Sequence, residues 1–180
     1  MKRTLFIVAA AAVILAGALG AILAIPNFAS AATGLSATEA ADLQYAREEE
    51  KLARDVYGVL DGLYGDKVDI FANIYVAESR HTLAVKDLLD RYGVEDPVAV
   101  DDPGIFQDDG LQELYWALTA QGDASLQAAL QVGVVIEELD IGDLSVFKAR
   151  TTHRDIRKVY GNLIAASENH LASFNEVLAK

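Results

Sequence analysis

Glu78 and His81 stand three residues apart in the stretch Glu78-Ser79-Arg80-His81. On a helix this spacing puts a carboxylate and an imidazole on one face. Phe71, Ile74, Val85, Leu88 and Tyr92 share that face, so the pair interrupts an apolar stripe that steps alternately by threes and fours. Such a stripe is the seam of a helix packed among others. Charges inside a seam are costly unless they are paired or bound to a metal. Two chemistries therefore compete for the pair: a buried Glu–His hydrogen bond, or part of a metal site.

Three further stripes bear on the choice. Leu43, Ala46, Glu50, Ala53, Tyr57, Leu60 and Tyr64 form one, with Glu50 on it. Leu126, Leu130, Gly133, Glu137, Asp140 and Leu144 form another, with Glu137 on it. The alternative register through Glu138 collects Gln127, Gln131, Val134 and Ile141 and is poorer, so Glu137 is preferred, although the choice stays open at this point. Ile156, Tyr160, Leu163, Ser167, His170, Phe174 and Val177 form the last, with Ser167 and His170 three apart. Polar ligand-type residues on four independent seams point to a metal site built from Glu50, Glu78, His81, Glu137 and His170. Carboxylate and imidazole suit iron, with manganese or zinc as alternatives, and one or two ions. The competing reading is a non-catalytic bundle that sequesters metal or binds an envelope partner, its Glu and His forming a hydrogen-bonded polar core. Tyr57 and Tyr160 read as core aromatics, with hydrogen bonds to a ligand carboxylate as the alternative. Glu48 and Glu49 are expected beside the seam, facing solvent or pairing with Lys51 or Arg54. His153 is expected at the surface or as a cap.

The elements that must position these residues are helices. One is expected from Thr38 or Asp42 to Leu63, a second from Asp69 to Tyr92 with Gly93 as its stop. The short link between them makes them antiparallel neighbours. Residues 93–110 are a long acidic connection containing Pro97 and Pro103-Gly104. Their spacing does not match an EF-hand loop, so a solvated crossover is expected. Leu111 to Gln121 reads as a short amphipathic helix closed by Gly122. The next helix is expected from Asp123 or Ser125 to Glu138 or beyond, with 140–150 as a short connecting helix. The last runs from about Thr152 to Leu178, capped by Thr151 or Thr152.

Composition narrows the classes. The 180 residues include no Cys, which excludes disulfides, thiolate zinc sites and iron–sulfur clusters. A net charge of -12 without a basic run argues against nucleic acid. Residues 1–31 read as a targeting segment: Lys2 and Arg3, an uncharged apolar run from Leu5 to Ile25, and the Ala-x-Ala site Ala29-Ser30-Ala31. A cleaved export signal is favoured over an uncleaved membrane anchor, and both place the folded part outside the cytoplasmic membrane. Residues 32–41 are expected as a tether and 42–180 as one domain.

Glu50-Lys-Leu-Ala53-Arg54-Asp-Val-Tyr57 resembles the first ligand helix of rubrerythrin-type proteins, and Phe71-Ala-Asn-Ile74 leading to Glu78-x-x-His81 resembles their second. The chain more closely resembles a prokaryotic ferritin-like family catalogued as a domain of unknown function. The matching stretches are 47–57, 84–92, 136–144 and 169–174, within a resemblance that covers about residues 42–178. It implies an all-α, ferritin-like four-helix bundle with one long crossover between the second and third helices. It also implies a redox role such as ferroxidase, peroxidase or oxygen protection, with O₂ or peroxide as co-substrate; a homo-oligomer is left open. Ser167 departs from the pattern, standing where the related proteins carry a Glu.

Overall fold

The computed structural model describes residues 34–180. Residues 1–31, expected as a signal or anchor, lie outside the described residues. Within them there are five helices and no strand: α1 Ala37–Tyr64, α2 Ile70–Tyr92, α3 Asp109–Asp123, α4 Leu126–Arg150 and α5 Arg154–Leu178. No helix among the described residues is long and apolar enough to cross a membrane.

α1 starts earlier than the expected domain boundary, inside the segment read as a tether. Ser36 and Glu39 form a reciprocal capping box, the Ser36 side chain accepting from the Glu39 N–H and Glu39 accepting from the Ser36 N–H. This satisfies two of the amides a helix start leaves unpaired. α2 closes on Gly93 in the left-handed conformation at φ 63°, as expected for a helix-stopping glycine. α4 runs unbroken to Arg150, so residues 140–150 are not a separate connecting helix. Gly142 is exposed on its outer side, while Asp140, Leu144 and Phe147 carry the buried face straight through. α5 begins after His153, which takes the capping position without a side-chain cap. Thr151 Oγ1 instead accepts the His153 N–H at 3.1 Å.

Contacts across the core fix how the chain runs. Arg47 meets Thr82, Glu50 meets His81, and Tyr57 stacks on Phe71, so α1 and α2 are antiparallel. Tyr57 meets Glu137 and Asp42 meets Arg150, so α1 and α4 are antiparallel. The same holds for α2 and α5, through Glu78–His170 and Tyr92–Asp155. It holds again for α4 and α5, through Glu137–His170 and Asp140–Ser167. α2 and α4 therefore run in the same direction, and residues 93–125 with α3 must carry the chain back along the molecule. α3 packs on α1 and α4.

Two apolar clusters fill the interior. One gathers Tyr57, Leu60, Phe71, Leu118 and Phe174; the other gathers Leu43, Val85, Leu88, Leu144 and Tyr160. Between them lies a polar layer at the middle of the long helices.

The crossover is not simply solvated. Arg47 pairs with Asp96 at 3.2 Å, and Arg54 with Asp101 at 2.5 Å. Lys51 is fully buried, donating to Asp55 at 2.5 Å and to the Asp102 carbonyl at 2.8 Å, with its ammonium 4.4 Å from the centre of the Phe106 ring. Glu48 accepts the backbone N–H groups of Gln107 and Asp108. The expectation that Glu48 and Glu49 face solvent fails for this reason. The crossover covers Glu48, Glu49 faces Asp140 and Asp143 of α4, and both residues are buried.

Candidate metal centre

The polar layer is made by α1, α2, α4 and α5, each presenting a seam position. Glu50, Glu78 and Glu137 are 1–2% exposed. His81 and His170 are the most open members, their side chains 14% exposed. Glu138 is exposed, which settles the register of α4 in favour of Glu137. All five residues singled out by spacing meet in one place.

The geometry centres on Glu78. Its Oε2 lies 2.7 Å from His81 Nδ1 and its Oε1 lies 2.9 Å from His170 Nδ1. Glu50 Oε2 stands 3.3 Å from the same His81 nitrogen, and Glu137 Oε2 stands 3.4 Å from the same His170 nitrogen. The two imidazoles stack with centroids 5.7 Å apart. Two sets result, Glu50–Glu78–His81 and Glu78–Glu137–His170. In each set the ligand atoms lie within 4.8 Å of one another. Glu78 belongs to both and offers one oxygen to each.

Hydrogen bonding leaves this cluster incomplete. No amide, hydroxyl, Lys or Arg donor reaches either oxygen of Glu50, which faces the Glu78 carboxyl; Glu78 Oε1 and His170 Nδ1, though close, are not aligned for a hydrogen bond, and Asp140 Oδ1 also lacks a partner. Buried polar atoms are nearly always satisfied, and exceptions point to a missing ion or water. The donor set, three carboxylates and two imidazoles, fits a divalent transition-metal ion or a pair of them.

The electrostatics carry the same strain. Burial pushes the Glu50 carboxyl well above its usual range, with the Asp140 and Glu78 charges adding to it. Burial raises Glu137 too, against the pull of the nearby His170 imidazole. Burial opposes ionisation of Glu78 as well, but His170 and His81 overcome it and hold its carboxyl below the ordinary value. Burial would lower His170; Glu137 and Glu78 outweigh it and lift the imidazole to about 10. A proton on His170 thus partly offsets the clustered acids.

Spacing alone overlooks one part of the site. Asp140 lies on the α4 seam one turn beyond Glu137 and is 5% exposed; its place in a stripe with Glu137 is the signal that marks it. Ser167 donates a hydrogen bond to Asp140 Oδ2 and also to the Leu163 carbonyl. A carboxylate is therefore present where Ser167 stands, delivered from the neighbouring helix. Burial, with the Glu78 and Glu137 charges, pushes Asp140 up to about 8 against the Ser167 hydrogen bond. Tyr57 takes the alternative role: its hydroxyl donates to Glu137 Oε1 at 2.6 Å. Tyr160 stays a core aromatic, its hydroxyl buried without a partner.

The family model described as "Uncharacterized protein domain (DUF2202)" matches residues 39–180, and the chain belongs to this family. It is 44% identical over 144 residues to "Uncharacterized protein MJ0754" of Methanocaldococcus jannaschii, covering 80% of this chain and 77% of that protein. A crystal structure of hypothetical protein MJ0754 from Methanococcus jannaschii DSM 2661 superposes with a TM-score of 0.78 at 44% identity. The match covers 81% of this chain and 82% of that one.

Proposed function

We propose that this protein is an exported, ferritin-like four-helix metal protein whose Glu–His cluster holds a pair of iron ions, with manganese or zinc as alternatives. The observation that carries the reading is the pair of three-residue sets that share Glu78, one of them containing Glu50, a carboxyl 1% exposed with no amide, hydroxyl, Lys or Arg donor on either oxygen. Four long helices with antiparallel neighbours, and one long crossover that lets α2 and α4 run parallel, are the connectivity of ferritin-like bundles. The export reading rests on Lys2, Arg3, the apolar run and Ala29-Ser30-Ala31.

In this reading Glu78 is the shared carboxylate, Glu50 and His81 complete one position, and Glu137 and His170 complete the other. Tyr57 fixes the Glu137 carboxylate, so only its Oε2 is presented to the centre. The apolar layers on both sides exclude bulk water and hold the helices in register. When bound, the ions supply Lewis acidity and one-electron redox capacity, which suits ferroxidase, peroxidase or oxygen-protection chemistry.

A polar core without metal is favoured by one contact, the 2.7 Å His81–Glu78 hydrogen bond. In that arrangement a protonated Glu50 donates to Glu78, which leaves one Glu50 oxygen without a partner. Anaerobic loading with Fe²⁺ followed by metal counting separates the two. Two ions per chain are expected, with binding lost in His81→Ala while helicity persists. Equal metal in wild type and variant, or a melting temperature indifferent to Fe²⁺, Mn²⁺ and Zn²⁺, overturns the reading, because ligand binding to the native state raises stability.

A further inference from the structure

A groove of about 700 Å³ opens on the flank of the molecule where α1, α4 and the crossover meet. Asp42, Tyr45 and Glu48 of α1, Asp143 and Phe147 of α4, and Asp108 of the crossover line it. Asp143 is its half-buried α4 wall. One turn inward along α4 from Asp143 is Asp140, and one turn further is Glu137 of the metal centre. On α1, Glu49 directly follows the groove residue Glu48 and directly precedes Glu50. The groove and the centre are thus joined by a row of acids on α4, each step about 4.5 Å along the axis, and by Glu49 facing that row from α1.

Two of these acids are unusual. Glu49 is 7% exposed and its Oε2 has no hydrogen-bond partner. Asp140 is 5% exposed, and its Oδ1 is likewise unpartnered while Oδ2 is held by Ser167. Among the described residues, no Lys, Arg or His stands within ion-pair distance of Glu49, Asp140 or Asp143. The other groove acids are committed: Glu48 to two backbone amides, Asp42 through Oδ1 to Arg150 and Asp108 to the Leu111 amide. Glu49 faces both Asp140 and Asp143, with a carboxyl–carboxyl hydrogen bond to Asp143, and with no counter-cation beside them their burial costs desolvation. A passing divalent cation supplies what they lack.

We propose that Asp143, Glu49 and Asp140 form the uptake route by which divalent cations pass from the groove to the centre. The proposal rests on the metal-centre reading above. Asp143 collects the ion at the groove wall, Glu49 and Asp140 take it over with one open oxygen each, and Glu50 and Glu137 receive it. The route has too few convergent oxygens to retain an ion, consistent with transit: the close ligand sets of three or more among the described residues are the two that share Glu78.

The test is the rate of loading, read by stopped-flow growth of the Co²⁺ visible absorption, with the final Co²⁺ count measured separately. Glu49→Gln and Asp143→Asn each slow loading by about tenfold, in line with the rate gains that charged clefts provide. The final count stays at the wild-type value. Asp143→Lys, which places a cation at the half-buried groove wall, slows it further. Asp87→Asn, an equal charge change on the exposed side of α2, loads at the wild-type rate. Loading by Asp143→Asn and Asp143→Lys as fast as wild type overturns the route, and this pair stands even if the buried Glu49→Gln variant fails to fold. A folded Glu49→Gln protein that binds fewer ions at saturation also overturns it, making Glu49 part of the centre. Failure of the wild type to take up Co²⁺ is a different result and removes the metal centre itself.

Discussion

The Tyr57 hydroxyl donates to Glu137 Oε1 at 2.6 Å, across the interface between α1 and α4. It reserves one oxygen of a buried carboxylate and leaves the other facing His170. Tyr57→Phe keeps the ring, which packs on Phe71 and Phe174, and removes this bond together with the longer 3.4 Å contact to the Gly133 carbonyl. The metal-free variant is expected to lose about 1–3 kcal/mol in urea unfolding, the range for a hydrogen bond to a buried charged group. Metal affinity is expected to fall by about 10- to 100-fold, as for other partners of ligand residues.

Glu78 and Glu50 should fail differently. Glu78 belongs to both ligand sets and Glu50 to one. Glu78→Gln is expected to remove all bound metal, whereas Glu50→Gln removes one of the two ions per chain. Metal analysis after anaerobic loading and gel filtration distinguishes them. Identical losses in the two variants contradict the shared role of Glu78.

The acidity of the site sets a pH dependence. His170 is lifted from about 6.5 unfolded to about 10 folded, by Glu137 and Glu78 against the effect of burial. A raised folded value stabilises the native state fully below about pH 6.5, and that stabilisation is lost as pH rises through about 10. The melting temperature of metal-free protein should therefore fall over this window. Metal must displace the His170 proton, so affinity rises with pH over the same range, and calorimetry near pH 7 in buffers of different ionisation enthalpy should register proton release. Equal melting temperatures at pH 6.5 and pH 10 would contradict the assignment of that proton.

Lys51 anchors the crossover from inside. It holds Asp55, the Asp102 carbonyl and the Phe106 ring, and it has no exposure. Lys51→Met retains the stem and removes the charge. Asp55 keeps Arg54 and the Gly104 N–H, so the loss is expected at about 1–3 kcal/mol rather than the full cost of an orphaned buried acid. Hydrogen exchange should show residues 101–106 losing protection before the long helices do.

Helix periodicity made much of this legible before any coordinates. The seams through Glu50, Glu78 with His81, Glu137, and Ser167 with His170 are buried as spacing requires, and the five residues do converge. Spacing reads one face of a helix at a time. It cannot show that the crossover covers α1 at Glu48 or that α4 acids face Glu49, so both residues read as solvent-facing from spacing alone. Asp140 was visible on its seam, but its pairing with Ser167 joins residues 27 positions apart on different helices, and a single stripe holds no record of such a contact.

Every residue of α1 from Ala46 to Tyr57 is buried, charged side chains included. Most helices at a protein surface tolerate substitution with a rhythm close to the helical repeat, sensitive inside and permissive outside. This segment has no outside. A comprehensive substitution scan should find a continuous block of intolerance through these positions, with the rhythm returning in α2 and α5. For this stretch of the family, sequence drift has no free face on which to accumulate.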